Sequence, residues 1–268
     1  MAVTFNTGFN VQNFGGSTLT WSAYTGVTSG QPLLLAVFGV TSAGGQEFSA
    51  GPSDNFSTPY TWTPVKVQTA NNIASPAEAI QVWIGTGGAG TSGTVSGTFV
   101  NSGAALMVSC VGAATSGGMA AIDVYGSAYG SSTTATQGGL TPTNAGEGAI
   151  YFTFNNSYYD TSVPVGWTNT GASSAGNVYA VISILGSPTQ GSALSASWNW
   201  NQAGPWATVG VIVFAAGQGR AQSRLLPLLS PGMIAKKVGK LWAFEKKLIF
   251  PEKKLILPGI VLPAPVPA

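Results

Sequence analysis

From Thr4 to Ala216 the chain alternates short apolar runs with clusters of Gly, Ser, Thr and Asn. Short runs separated by turn residues are typical of the strands of an all-β sandwich or barrel. Several runs are rich in β-branched and aromatic residues, which strands prefer. The pattern predicts strands at 18–23, 32–40, 61–67, 79–85, 94–99, 104–112, 120–125, 148–154, 178–185, 194–200 and 206–215.

The predicted strands recur in the same order in two halves. Trp62 and Trp167 occupy equivalent positions, and each is followed by threonine. Because a single five-stranded sheet leaves one apolar face uncovered, the repeat predicts two halves of one sandwich and not two independent domains. The corresponding segments are 30–40, 60–67, 78–85, 93–100 and 103–113 in the first half, and 146–156, 165–171, 177–185, 191–200 and 205–216 in the second.

Three motifs of this body resemble glycine-rich β-sandwich modules of tailed-phage virion and tail proteins. They are the string from Gly30 to Val40, the Trp-Thr pairs at 62–63 and 167–168, and the run from Trp206 to Phe214. The resemblance covers residues 1–217. It implies a jelly-roll-like sandwich with a structural or surface-binding role, and it carries over no catalytic residue.

Residues 218–268 differ from the body in composition. They hold nine of the ten basic residues and two of the eight acidic ones, a formal +7 against −5 for the body. Apolar triplets alternate with lysine pairs and prolines in KKLIFPE and KKLILPG. Proline lacks the N–H of a sheet ladder, so we predict an extended C-terminal arm that needs a covering surface. The residues expected to dock are Ile234, Val238, Leu241 and Trp242 on one helical face, and Leu248, Ile249, Phe250, Leu255, Ile256 and Leu257.

The arm has three candidate partners. Its lysines and arginines are suited to the phosphates of a nucleic acid, and a basic amphipathic segment is suited to an anionic membrane. The prolines and interleaved apolar triplets favour the third partner, which is protein. We therefore expect the arm to bind copies of the same chain and another structural protein, in preference to nucleic acid or membrane.

Few residues of the chain could carry catalysis. There is no histidine, which excludes a Ser-His-Asp triad, and Cys110 lies in an apolar run typical of a buried strand. The closest acids of the body, Glu47 and Asp54, are seven residues apart in a Gly/Ser-rich stretch. Calcium held by Asp54 or Asp160 would lack the support of an acidic cluster. We predict no enzymatic activity, no cofactor and no metal.

Aromatic residues offer a possible glycan site. Trp198 and Trp200 alternate along one strand and therefore share a face, and Tyr158 and Tyr159 lie in a polar stretch. These rings either stack on a sugar or, in the case of Trp198 and Trp200, pack between sheets.

The sequence as a whole predicts a structural subunit of a multi-copy assembly, located in a phage or virus particle. Capsid, capsid decoration and tail surface are all compatible with it. The alternatives are a glycan-binding adhesin or tail-fibre module, and a strand-donating filament subunit, either of which would be extracellular or at the cell surface. The longest apolar stretch of the body, 206–216, is shorter than a bilayer-spanning helix.

Overall fold

A computed structural model describes residues 1–6, 11–14, 18–41, 48–69, 77–99, 103–156, 162, 164–175 and 178–219. Within these ranges the chain forms antiparallel strands and one short 3-10 helix, η1, so the all-β prediction is confirmed. The elements are β1 (Thr4–Asn6), β2 (Val11–Phe14), β3 (Thr18–Thr25), β4 (Leu33–Thr41), β5 (Phe48–Asp54), β6 (Thr61–Thr69), β7 (Ala77–Thr86), β8 (Ser92–Phe99), β9 (Gly103–Val111), η1 (Gly118–Ala121), β10 (Ile122–Leu140), β11 (Gly148–Asn156), β12 (Thr168–Ala175), β13 (Val178–Leu185) and β14 (Leu194–Val213).

The described strands form three sheets. The first sheet has the order β1-β9-β4-β7-β6, with β2 also paired to β9. The second sheet has the order β10-β14-β11-β13-β12, and the third is β3-β8-β5. No helix within the described ranges is long and apolar enough to cross a membrane.

The first and second sheets pack face to face, as in a β-sandwich, around the largest apolar cluster of the described residues. Their central strands meet at Phe38 of β4 and Phe154 of β11, whose rings lie edge to face with centroids 5.8 Å apart. The strand sequences explain this burial, since β4 and β11 are apolar on both faces, as expected of strands covered from both sides. The cluster includes Phe38, Ile80, Val82, Ile84, Val108, Ile150, Phe152, Phe154, Val209 and Val211.

The outer face of the first sheet is covered by the third sheet and the adjoining loop. Leu33, Leu35 and Met107 of the first sheet pack against Val95 of β8 and against Phe56. Because side chains alternate along β4, its residues belong to two apolar clusters, one on each side of the first sheet.

The outer face of the second sheet is covered by the C-terminal part of β10 and the N-terminal part of β14. The two strands pair along most of their length, but the register shifts between Ser132 and Thr134, which pair with Gly204 and Asn199 respectively. A bulge of this kind bends a paired ribbon. Beyond it, residues 194–200 pack over β11 and β13, in a cluster that contains Tyr151, Val181 and Trp198. We call the paired segments 134–140 and 194–200 the distal ribbon.

Every predicted strand overlaps an observed one, but the predicted boundaries differ at β10 and β14. The predicted strand at 120–125 continues to Leu140, and those at 194–200 and 206–215 form one element. The strands β1, β2 and β5 were not predicted, and β12 was anticipated only by the repeat segment 165–171. These segments are short or rich in Gly, Ser and Thr. Their conformation therefore depends on pairing with neighbouring strands, and not on the intrinsic strand preference of their residues.

Close packing at Gly210 of β14 leads to a test of the fold. A Cβ atom at this position would overlap the ring of Tyr151 and the side chain of Leu140. We expect Gly210→Ala to lower the unfolding free energy by about 1–3 kcal/mol, the usual cost of overpacking a core. Gly138→Ala is the matched control, because its Cβ would lie 3.6 Å from the nearest atom, Cβ of Ser195. Urea titration of both variants checks the difference, and equal stabilities would contradict this packing of β14.

Candidate functional site

The structure places the predicted sugar-stacking tryptophans in the interior. Trp198 is fully buried and Trp200 is 3% exposed. The indole Nε1–H of Trp198 donates to Ser183 Oγ at 2.8 Å, and its ring lies 5.9 Å from that of Tyr151. Neither ring is therefore available to stack on a sugar, and the packing interpretation applies to both. Tyr158 and Tyr159 lie outside the described residues.

Asp54 is occupied by hydrogen bonds within its own loop. Its carboxylate accepts from the backbone N–H of Tyr60 at 3.0 Å, from that of Phe56 at 3.2 Å and from Trp62 Nε1–H at 2.8 Å. Burial and the nearby Asp54 carboxylate raise the pKa of Tyr60 to about 12. These contacts give Asp54 a role in holding the loop between β5 and β6. Glu47 and Asp160, the other acids considered above, lie outside the described residues.

A pair of acids that the sequence spacing did not reveal lies at one end of the second sheet. Asp123 at the start of β10 is 7% exposed, and Glu147 before β11 is fully buried. Thr143 donates to Asp123 through its N–H at 2.8 Å and its hydroxyl at 2.9 Å. Asn144 donates to Glu147 Oε1 through its N–H at 3.2 Å and its side-chain amide at 2.9 Å.

The pKa of Glu147 is raised by its surroundings. Burial, together with the hydrogen bond and charge of Asp123, raises the pKa of Glu147 from 4.5 to about 7, against the opposing effect of the Asn144 hydrogen bonds. A nearby carboxylate and a dry environment both disfavour the charged form of a buried acid. Glu147 therefore keeps its proton up to about neutral pH at the base of loop 141–147.

The same loop ties together distant parts of the body. The carbonyl of Gly146 accepts from Val3 N–H at 2.9 Å, and that of Pro142 accepts from Gly191 N–H at 2.9 Å. The carbonyl of Ala145 accepts from the amide of Gln218 at 2.7 Å. Loop 141–147 thus joins the N-terminal segment to the last residues of the described body.

Two neighbouring carboxyls are the usual machinery of glycoside hydrolysis, which needs them on either side of an accessible bond. Here Glu147 has no solvent-accessible surface, and the adjoining Gly148 is packed against Val3 and Phe5. A substrate cannot reach the pair in this structure. Its chemistry is that of a buried structural contact whose strength depends on pH.

No other described residues form a reactive cluster. Within the described ranges there is no group of three or more His, Cys, Asp or Glu side chains that could hold a metal ion. Cys110 is buried, as predicted, and burial raises its pKa well above the usual thiol range. The reactive thiolate is therefore scarce at neutral pH.

An open groove of about 560 Å³ lies beside η1. Half of its lining residues are threonines, and the others are glycines and Met119. Thr86 Oγ1 accepts from Gly118 N–H at 2.8 Å, which fixes η1 against the end of β7. The groove offers hydrogen-bonding groups but neither a carboxylate nor an aromatic ring among its lining residues. These are Thr61, Thr63, Thr86, Gly87, Thr115, Gly117, Gly118 and Met119.

The residues predicted to dock, from Ile234 to Leu257, lie outside the described residues. The described part of the body contains two hydrogen-bonded acid sites and an open groove lined by threonines, glycines and Met119. Comparisons with protein families, with curated proteins and with solved structures find no match to this chain.

Proposed function

We propose that this chain is a structural subunit of a multi-copy assembly, a virion protein of a phage or virus without enzymatic activity. The observation that carries the proposal is the chemistry of the solvent face of the distal ribbon. Its exposed side chains are hydroxyls and amides that bond across the strands, with Thr134 Oγ1 donating to Asn199 Oδ1 and Thr136 bonded to Ser197, both at 3.0 Å. A surface without charge does little to keep copies of a protein apart.

The order of strands supports a finer assignment, in which the body is a pair of jelly-roll-like halves. In the first sheet β9 lies between β1/β2 and β4, and β4 pairs with β7; in the second, β14 lies between β10 and β11, and β11 pairs with β13. The registers agree as well. Leu34 pairs with Ile84, and its counterpart Ile150 pairs with Ile184. Phe38 and Phe154 would then be equivalent residues that meet where the two halves face each other.

The state of the acids in the body affects how the arm would bind. Asp54, Asp123 and Glu147 are three of the six acids that precede residue 218, and all three accept hydrogen bonds inside the body. Because its surroundings raise the pKa of Glu147 to about 7, this acid is only partly ionised near neutral pH, and the negative charge of the body is smaller than the formal −5. We therefore assign most of the docking energy to the apolar triplets, and orientation and association rate to the lysines.

This assignment predicts different outcomes for two double variants of the full chain. Phe250→Ser with Leu257→Ser should weaken assembly more than Lys253→Gln with Lys254→Gln. Full burial of one large apolar side chain is worth roughly 1.5–3 kcal/mol, whereas an exposed ion pair is worth ~0–1 kcal/mol. Sedimentation and electron microscopy at moderate salt compare the two variants with the unmodified chain, which should form closed particles or tubes.

Two results would argue against the proposal. If the lysine variant fails while the apolar variant assembles normally, the arm is an electrostatic tether, and nucleic acid or anionic membrane becomes the better partner. If the unmodified native material shows no regular multi-copy structure by microscopy, the structural role itself is wrong.

A further inference from the structure

Exposed aromatic side chains lie where β6 of the first sheet runs alongside β10 of the second. Tyr125 is 40% exposed and Tyr129 is 54% exposed, and both belong to β10. Their neighbours Val124 and Ala128 pack in the cluster on the outer face of the second sheet. Because side chains alternate along a strand, the two tyrosines point to the opposite face, towards the first sheet.

The groove beside η1 opens at the same edge of the body. Thr63 of β6 lines the groove and pairs with Ile84, which belongs to the cluster between the first and second sheets. Residues directly opposite each other in an antiparallel pair share a face, so Thr63 and the two tyrosines point into the same space. The helix η1 supplies Met119 to the groove and leads into β10 at Ile122. Tyr125 follows Ile122 by about 10 Å along the strand, at ~3.3 Å per residue.

The chemistry of this edge selects a neutral, hydroxylated ligand. The threonine hydroxyls of the groove can both donate and accept hydrogen bonds, and none of the described residues that line it is charged. A phosphate or a carboxylate would lack a cation there, whereas the hydroxyls of a sugar can exchange hydrogen bonds with threonine. Tyrosine combines an apolar ring with a polar tip, which is suited to the C–H face of a pyranose ring.

We propose that the groove beside η1 and the two tyrosines of β10 form one binding site for a neutral oligosaccharide. One sugar lies in the groove against Thr61 and Thr115, and the chain continues along β10 over the rings of Tyr125 and Tyr129. These two positions are ~13 Å apart along the strand, at ~3.3 Å per residue, so the site takes several linked sugars and not a monosaccharide. The inference goes beyond the structural role proposed above and does not depend on it.

Titration of the full chain with neutral hexasaccharides tests the site. The probes are maltohexaose, cellohexaose and N-acetylchitohexaose, and a polygalacturonate hexamer is the acidic comparison. Calorimetry and saturation-transfer NMR follow the binding. At least one neutral probe should bind, and the corresponding monosaccharide should bind at least tenfold more weakly because it cannot reach both the groove and the tyrosines.

Aromatic variants test the stacking. Tyr125→Ala and Tyr129→Ala should each raise the Kd of the bound hexasaccharide at least fivefold, whereas Tyr129→Phe keeps the ring and should raise it less than twofold. Val165→Ala is the matched surface control. Val165 is 99% exposed and lies before β12, at the opposite edge of the second sheet from β10. Its replacement should leave the Kd unchanged.

Variants that keep the side-chain shape test the hydroxyls of the groove. Thr61 and Thr115 line the groove and are exposed. The double variant Thr61→Val with Thr115→Val should raise the Kd at least fivefold. Because the altered threonines and tyrosines are all exposed, thermal unfolding should give every variant the melting temperature of the unmodified chain.

The outcomes separate this inference from the proposed function. If no neutral probe binds to the full chain, the inference is wrong. Binding that is unchanged in the tyrosine and threonine variants places the sugar elsewhere and also overturns it. A preference for the acidic hexamer would point to Lys66 of β6 and contradict the neutral class. Regular particles that bind none of the probes would leave the structural role intact.

Discussion

Replacement of Trp198 by alanine is expected to lower the unfolding free energy by about 3–5 kcal/mol, the usual cost of truncating a buried aromatic side chain. Trp198 is fully buried within the cluster that joins the distal ribbon to the rest of the second sheet. The substitution removes the ring contact with Tyr151 and the hydrogen bond from Nε1 to Ser183. Urea or thermal unfolding of the full chain, treated as a two-state transition where probes agree, measures the loss.

The neighbouring Ser197 provides the matched control, because its side chain is on the exposed face of the same strand. Ser197→Ala should change the unfolding free energy by no more than about 0.5 kcal/mol, as surface substitutions usually do. Trp198→Phe should fall between the two. A Trp198→Ala protein of unchanged stability that had lost binding to a sugar would contradict the interior position and restore the glycan-stacking hypothesis.

Neutralising Glu147 is expected to stabilise the protein in mildly alkaline buffer. The pKa of Glu147 is raised from 4.5 to about 7 in the folded chain, so the folded state binds a proton more tightly than the unfolded state. Stability from this group is therefore fully present below pH 4.5 and is lost as the pH rises to about 7. One pKa unit corresponds to ~1.4 kcal/mol, so the loss between pH 5 and pH 8 is roughly 2–3 kcal/mol. Glu147→Gln keeps a hydrogen-bond donor beside Asp123 and cannot ionise.

Unfolding titrations at pH 5 and pH 8 test this expectation. Glu147→Gln and the unmodified chain should have similar stabilities at pH 5, and the variant should be more stable at pH 8. The expectation is contradicted if the unmodified chain becomes more stable between pH 5 and 7 and Glu147→Gln gains less stability over the same range. That result would mean that the pair is ionised in the folded state.

The all-β class is the part of the fold that the sequence predicted and the structure confirms, whereas the division of the body into two repeated halves stays a proposal. Trp62 and Trp167 were matched by the threonine that follows each, and Thr63 and Thr168 pair with Ile84 and Ile184 respectively. In the proposed repeat, such matches arise because each half covers its own apolar strand faces, which repeats the same alternation of side chains. The burial of Cys110 was predictable for the same reason.

The acid pair could not be anticipated from spacing. Asp123 and Glu147 are separated in the chain by most of β10 and a turn, and neither lies in a recognisable motif. What brings them together is the pairing of both β10 and β11 with β14, with Ile122 and Gly148 opposite the same residue, Val213. The closeness of the two carboxyls is a consequence of that register, and no local pattern of residues encodes it.

The amino-acid sequence by itself determined that the body is all β, that its apolar runs follow one another in two similar series, and that the arm is basic and interrupted by proline. These properties depend on the period of apolar residues and on the chemistry of proline and lysine, which act locally. The tertiary structure alone decided that Trp198 and Trp200 are interior, that two acids distant in the sequence lie close together, and that β10 lies at an edge of the second sheet. Each of these depends on which strands lie side by side and which faces are covered. The alternation of side chains along a strand does not by itself show which neighbours cover each face.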